Sequence, residues 1–133
     1  MRNVNDAPPS RGRRAFVGAA TAIALAQCGA EVVIASRSED HLRQGAADIA
    51  AASGKAPRTM VCDIRQPDQV ERLVDFIVRE YERVGILINN AGGQFAQKAE
   101  EYSVNGWNAV VSTNLNGTWF VTQTVAKRMI AAG

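Results

Sequence analysis

The chain has 133 residues, of which 47% are hydrophobic and 21% are charged, a composition typical of one globular domain and not of a disordered segment. Its formal net charge of +2 comes from the first fourteen residues, and the near-neutral remainder argues against nucleic-acid binding. With one histidine and two cysteines, we predict no metal site and no disulfide framework, and a reducing cytoplasmic location. No apolar run reaches the length of a membrane span.

The amino-terminal segment, residues 1–12, has no hydrophobic period and is predicted to be a flexible basic arm. Residues 13–133 are predicted to form one domain. Within it, residues 15–17 are predicted to be the first strand and residues 19–27 a helix of small side chains. Gly29 is then placed as the C′ residue of that helix.

The next elements carry clear boundary signals. Residues 31–35 are predicted to be the second strand, and Ser38 is predicted to cap a helix that ends at Gly54. Glu39 and Asp40 lie in the first turn of this helix, where acidic side chains favour the helix dipole.

A third strand is predicted at residues 58–62, with Asp63 at its carboxyl end. Pro67 suits the first position of the helix that follows. Six apolar side chains recur in this helix at spacings of three and four residues, the pattern of one buried face: Val70, Leu73, Val74, Ile77, Val78 and Tyr81.

Residues 86–89 are predicted to be the fourth strand. They are apolar up to Asn89 without alternation, which is typical of a strand covered by helices on both faces. A corner of two amides and small residues follows directly, and from Ser103 the chain is predicted to be helical to its end. The spacing of strands and helices indicates parallel βαβ units.

These elements predict an α/β fold, a partial Rossmann-like, doubly wound parallel sheet with strand order 3-2-1-4. In such sheets, ligands bind outside the carboxyl ends of the strands where the order reverses. The reversal falls between the first and fourth strands, so the corner at 89–93 is predicted to border a ligand crevice.

Several motifs resemble the short-chain dehydrogenase/reductase family: NNAG at 89–92, GAEVVIASR at 29–37, Asp63, and Asn114 in the last helix. NNAGGQF at 89–95, GWNAV at 106–110 and TNLNGTW at 113–119 are similar to its trans-2-enoyl-CoA reductase branch. The resemblance implies an NAD(P)-dependent oxidoreductase that transfers hydride between NADPH and a small-molecule substrate, an enoyl-CoA or a carbonyl or alcohol. It also implies a homo-oligomer in a complete relative.

The resemblance also implies roles for individual residues. Asp63 would accept a hydrogen bond from the adenine amino group, with the Ile64 backbone beside it. Asn114 matches the family's catalytic asparagine, whose carbonyl helps to hold a water molecule in a proton relay. The floor under the adenosine ribose would be formed by Asn89, Asn90, Ala91 and Gly92.

Cofactor preference depends on the end of the second strand, where NAD-preferring relatives carry an acidic residue for the ribose 2′-hydroxyl. Here Ser36 and Arg37 occupy this place, so a 2′-phosphate meets a guanidinium and a hydroxyl instead of a carboxylate. We therefore predict NADP in preference to NAD.

Two departures from the family pattern affect the prediction of activity. Gly18 aligns with the last glycine of the family's TGxxxGxG loop, but the remainder of the loop is missing between the first predicted strand and its helix, and Gly12 precedes that strand. The family's YxxxK is also absent, because Tyr81 and Tyr102 are each followed four residues later by glycine. We expect a truncated, inactive fragment. The alternatives are a non-catalytic nucleotide-binding or oligomerisation module, or a gene remnant.

Structural alternatives remain open for three site residues. Asp63 is also placed to cap the helix that begins near Pro67. Arg37 is also consistent with a solvated surface charge, and Asn114 with a side chain bonded to its own helix backbone.

Overall fold

The computed structural model describes residues 11–95 and 97–133, with side chains from Val17 onward. Its helices and strands, in chain order, are α1 (Arg11–Gln27), β1 (Val33–Ser36), α2 (Glu39–Ser53), β2 (Arg58–Val61), α3 (Pro67–Tyr81), α4 (Val104–Val111), a π-helical segment (Ser112–Gly117) and α5 (Thr118–Ala131). A short 3₁₀ turn, Ala99–Glu101, precedes α4. The predicted arm lies outside the described residues up to position 10, whereas Arg11 and Gly12 belong to α1.

The sheet of the described chain consists of β1 and β2, which run parallel with Val33 opposite Arg58 and Ser36 opposite Val61. The two strands match the second and third predicted strands, and the connection through α2 makes one βαβ unit. The α/β class and the parallel pairing are therefore confirmed, but the order 3-2-1-4 is not formed by the described residues.

The first predicted strand is wrong. Residues 15–17 lie inside α1, which continues through Gln27. This segment is rich in alanine and arginine and has no proline, so its local preference is helical. A strand of three residues would need hydrogen bonds from a distant segment, whereas the helix forms its hydrogen bonds locally. The segment is therefore helical.

The fourth predicted strand is also absent from the described structure, because residues 86–89 have no regular secondary structure. A strand needs a hydrogen-bonded neighbour, and the neighbour predicted for this one is helical. The prediction that helices cover this segment on both faces is also wrong. Leu87 packs against the core, whereas Ile86 and Ile88 are 61% and 52% exposed.

The predicted helix boundaries are formed as the local signals indicate. Ser38 caps α2, with its Oγ accepting from the His41 N–H at 3.3 Å, and Gly54 ends the helix at φ 75°. After α1, Gly29 adopts φ 89° and donates to Ala26, while Ala30 donates to Leu25. These two bonds form a Schellman motif.

The helices cover the two faces of the sheet. On one face, Ile34 of β1 approaches Gly45 of α2, which in turn packs against α1. Val33 points to the opposite face because side chains alternate along a strand. There it contacts the core cluster formed by α3, α5 and the residue after β2: Cys62, Val70, Leu73, Val74, Val121 and Val125. Among the described helices, none is long and apolar enough to cross a membrane.

The core cluster predicts a large difference between two valine truncations. Val70 in α3 is fully buried, whereas Val104 at the start of α4 is 75% exposed. We expect Val70→Ala to lower the free energy of unfolding by about 2 kcal/mol, because it removes two buried methyl groups and leaves a cavity. Val104→Ala should change it by less than about 0.5 kcal/mol. Urea denaturation followed by circular dichroism measures both, and equal losses would contradict this packing.

Candidate functional site

Asp63 lies directly beyond the carboxyl end of β2 and is held at several points. Its backbone N–H donates to Gln69 Oε1 at 2.8 Å, and its carbonyl accepts from the Gln66 N–H at 2.9 Å. Its carboxylate accepts from the Arg65 N–H at 3.1 Å and from Arg65 Nε at 2.9 and 3.1 Å. Arg65 Nη2 adds a further bond to Oδ2. The carboxylate is therefore fixed in one orientation.

These hydrogen bonds keep Asp63 ionised. The bonds from Arg65 hold the pKa of the carboxyl below its ordinary value, against a smaller opposing effect of partial burial. The positive charge of Arg37 contributes in the same direction. Asp63 is thus an anionic acceptor at neutral pH.

Arg37 and Asp63 come together as the topology predicts. Ser36 is the last residue of β1 and is paired with Val61, and the Ser36 carbonyl accepts from the Cys62 N–H at 3.0 Å. The residues that follow the two strands therefore emerge side by side. Arg37 is exposed, and none of the described residues forms a hydrogen bond or an ion pair with it. The Ser36 hydroxyl accepts from the Ser38 N–H at 3.3 Å and so keeps its own proton for another acceptor.

The corner at 89–93 lies against α1. A methyl group added at Gly18 would lie 2.5 Å from Asn90 Nδ2, so a larger residue would displace the Asn90 side chain from its present position. Asn89 Nδ2 donates to Thr122 Oγ1 of α5 at 2.9 Å. Ala91 and Gly92 are exposed. The predicted corner is therefore held between α1 and α5, with its small residues at the surface.

Asn114 is tied to this corner by two hydrogen bonds to one residue. Its Oδ1 accepts from the Gly93 N–H at 2.8 Å, and its Nδ2 donates to the Gly93 carbonyl at 2.9 Å. Asn114 lies in the π-helical segment between α4 and α5. Such segments are rare and are often found at functional sites.

Close packing joins the Asn114 segment to the Asp63 turn. Gly117, the last residue of the π-helical segment, is buried against Ile64. A methyl group added there would lie 2.7 Å from Ile64 Cγ1 and 3.3 Å from the Ile64 carbonyl oxygen. Only glycine allows this approach, so Asp63 and Asn114 are held on two segments in direct contact.

Two of the structural alternatives are not seen. The helix after Asp63 begins at Pro67 with Gln66 as its N-cap, and the Asp63 side chain bonds Arg65 instead of capping it. Asn114 bonds the backbone of Gly93 and not that of its own helix. The exposure of Arg37 agrees both with a solvated charge and with a ligand contact.

The residues that hold the site in place were missed in the sequence. Arg65, Gln69, Gly93 and Thr122 each bond a predicted site residue. The pairing of Arg65 with Asp63 could have been predicted from the sequence, because an acidic residue and an arginine two residues apart after a strand can pair within one turn. Among the described residues, no three histidine, cysteine or acidic side chains are grouped to hold a metal ion.

The glycine-rich loop is the part of the site that does not fit the family pattern. Gly12 lies six residues before Gly18, which is the separation of the first and last glycines of TGxxxGxG. Because residues 15–17 are helical, Gly12 does not precede a strand, as the sequence analysis had assumed. Arg11 and Phe16 nevertheless replace the threonine and the middle glycine. The backbone of this stretch is helical, so it does not form a loop of N–H groups for a pyrophosphate.

Comparison with known proteins gives the family. The family described as short chain dehydrogenase matches residues 12–133, and the chain belongs to it. It is 34% identical over 122 residues to a D-threitol dehydrogenase of Mycolicibacterium smegmatis, covering 92% of this chain and 46% of that protein. The chain thus spans about half the length of the curated relatives it matches.

Solved structures agree with this assignment. An actinorhodin polyketide ketoreductase with NADPH is 33% identical with a TM-score of 0.79, over 84% of this chain and 42% of that one. An NAD⁺-bound xylitol dehydrogenase is 29% identical with a TM-score of 0.84. The match covers 91% of this chain and 46% of that one. The fold is therefore the Rossmann-like fold of an NAD(P)-dependent oxidoreductase family, whose members bind a nicotinamide cofactor. The relatives are varied, and the enoyl-CoA reductase branch is not confirmed.

The two bonds between Asn114 and Gly93 predict a local effect of Asn114→Ala. We expect the Gly93 amide to exchange with solvent about tenfold faster, because its only acceptor among the described residues is removed. Asn116→Ala, an exposed change in the same π-helical segment, should leave that exchange unchanged. Hydrogen exchange followed by NMR makes the measurement, and similar rates in both variants would rule out the bond.

Proposed function

We propose that the chain forms the adenosine-binding part of a short-chain oxidoreductase that prefers NADPH to NADH. One observation carries the proposal: Asp63 and Arg37, whose side chain forms no ion pair with the described residues, follow the carboxyl ends of two paired strands, β2 and β1. An acceptor and a cation side by side suit the adenine amino group and the 2′-phosphate respectively. The partners proposed are thus this cofactor and a small-molecule substrate.

The described residues fit the adenosine half of such a cofactor. Asp63 is ionised and fixed, the Ser36 hydroxyl has a proton to donate, and the Ile64 backbone lies beside Asp63. The corner of Asn89, Asn90, Ala91 and Gly92 supplies small groups at the same edge, with Gly18 against it. The helical backbone before Gly18 does not fit the pyrophosphate, so we assign it no contact there.

The reaction we propose for the whole protein is hydride transfer between NADPH and a small-molecule substrate, an enoyl-CoA or a carbonyl or alcohol. The cofactor supplies the hydride when bound. This chain would contribute Asn114, fixed by Gly93, to position a water for proton transfer. Its two tyrosines lack a lysine four residues later, so a proton-donating tyrosine of the YxxxK type must come from elsewhere.

Arg37 gives the direct test of cofactor preference. Arg37→Gln should weaken NADPH binding about tenfold to hundredfold, because charge-assisted bonds to the 2′-phosphate are lost. NADH has no such phosphate, and its affinity should change by less than about twofold. Arg43→Gln, which removes an exposed arginine of α2, is the matched control.

Cofactor fluorescence titration measures these affinities. Equal weakening of NADPH and NADH in Arg37→Gln would contradict the assignment of the 2′-phosphate to Arg37. If the unaltered protein binds neither cofactor, the alternative function remains, a non-catalytic module that acts by association. A cytoplasmic location, where NADPH is formed, accompanies the proposal.

We also propose that the protein associates with copies of itself through the helical path from α4 to α5. The observation in favour is the exposure of three large apolar side chains along this path, Trp107, Leu115 and Trp119, at 61%, 65% and 57%. Large apolar side chains exposed along one continuous helical path are typical of an interface. Sedimentation velocity should show a species larger than the monomer that Leu115→Glu dissociates. A single monomer at every concentration would contradict the proposal.

A further inference from the structure

Arg65 has no part in the proposed contacts with cofactor. Arg65 lies two residues after Asp63 and surrounds its carboxylate with its backbone N–H, Nε and Nη2. The pair is partly shielded from water, since the side chains of Arg65 and Asp63 are 35% and 17% exposed. A bidentate pair of this kind is stronger and more directional than an ordinary surface ion pair.

Two arginines are therefore close to one carboxylate, but only one of them is bonded to it. Arg65 provides hydrogen bonds to both oxygens of Asp63, whereas Arg37 acts on the carboxylate through its charge alone. An unpaired guanidinium beside an unpaired carboxylate would form an ion pair. In this structure Arg65 offsets the charge of Asp63, and no described residue forms an ion pair with the Arg37 side chain.

We infer that Arg65 is a positioning residue for cofactor specificity: it offsets the charge of Asp63 and thereby leaves Arg37 available for the 2′-phosphate of NADPH. The inference rests on the proposed function, since it assumes that Arg37 binds this phosphate. Arg65 uses three N–H donors on Asp63, one of them shared between both oxygens, and two carboxylate oxygens offer about four acceptor positions, so one position stays open for the adenine amino group. Arg65 thus allows Asp63 and Arg37 to serve two parts of one ligand.

The substitution Arg65→Gln releases the Asp63 carboxylate to pair with Arg37. We expect NADPH to bind about tenfold more weakly, while NADH affinity changes by less than about threefold. The double variant Arg65→Gln with Asp63→Asn removes the competing charge. It should recover most of the ratio of NADPH to NADH affinity, although both affinities are lower without the Asp63 carboxylate.

Arg72→Gln is the matched control, because Arg72 forms an exposed ion pair with Asp68 one turn earlier in α3. It should leave both affinities unchanged. A merely structural role for Arg65 would weaken NADPH and NADH binding by the same factor, and that result would overturn the inference. An unchanged affinity ratio in Arg65→Gln would overturn it equally.

A measurement without cofactor separates this inference from the proposed function. In NMR spectra of arginine side chains, the Arg37 Nε–H signal should shift and exchange more slowly in Arg65→Gln, as the ion pair with Asp63 forms. Arg65→Lys, which keeps the charge, should cause a smaller change. An unaltered Arg37 signal in Arg65→Gln overturns the inference. An altered signal without any NADPH binding overturns the proposed function and the link to cofactor specificity, and shows that Arg65 keeps Arg37 from pairing with Asp63.

Discussion

The arrangement of the site depends on the contact between Gly117 and Ile64. Ile64 follows Asp63 in the turn after β2, and Gly117 lies three residues after Asn114. A side chain on Gly117 would meet both the Ile64 side chain and its carbonyl oxygen. The absence of a side chain therefore lets two segments distant in sequence touch, which sets the separation of Asp63 from Asn114. The core cluster beneath them, from Cys62 to Val125, keeps this contact closed.

Local features of the fold could be predicted from the sequence because each depends on a few neighbouring residues. Ser38 and Gly54 mark the ends of α2, and Pro67 marks the start of α3. The apolar period of α3 identifies its buried residues, of which Val70 and Val74 are the most shielded. These features can be predicted because capping bonds and helix periodicity depend on residues within one or two turns.

Strands were predicted less well, because their hydrogen bonds come from distant segments. β1 and β2 pair with each other and are present, whereas residues 15–17 follow their local helical preference. The segment 86–89 is apolar enough for a strand but has no neighbour in the described chain. The predicted adjacency of the second and third strands is formed by β1 and β2, and it brings the residues after them to one edge of the sheet. The partners Arg65 and Gly93 could not be derived, because they depend on side-chain orientation within a turn and across a corner.

The π-helical segment has a consequence for the length of the chain. A π turn holds more residues than the 3.6 of an α turn, so the stretch from Ser112 to Gly117 contains surplus backbone compared with a regular helix. Removing one residue from it would take up that surplus and let the stretch close as a regular α-helix, so that Val121 and Val125 stay in the apolar layer shared with α3. The side chains within the stretch would instead change direction, and Asn114 would lose its alignment with Gly93. Loss of a single codon within this stretch is thus expected to spare the core and to disturb the site.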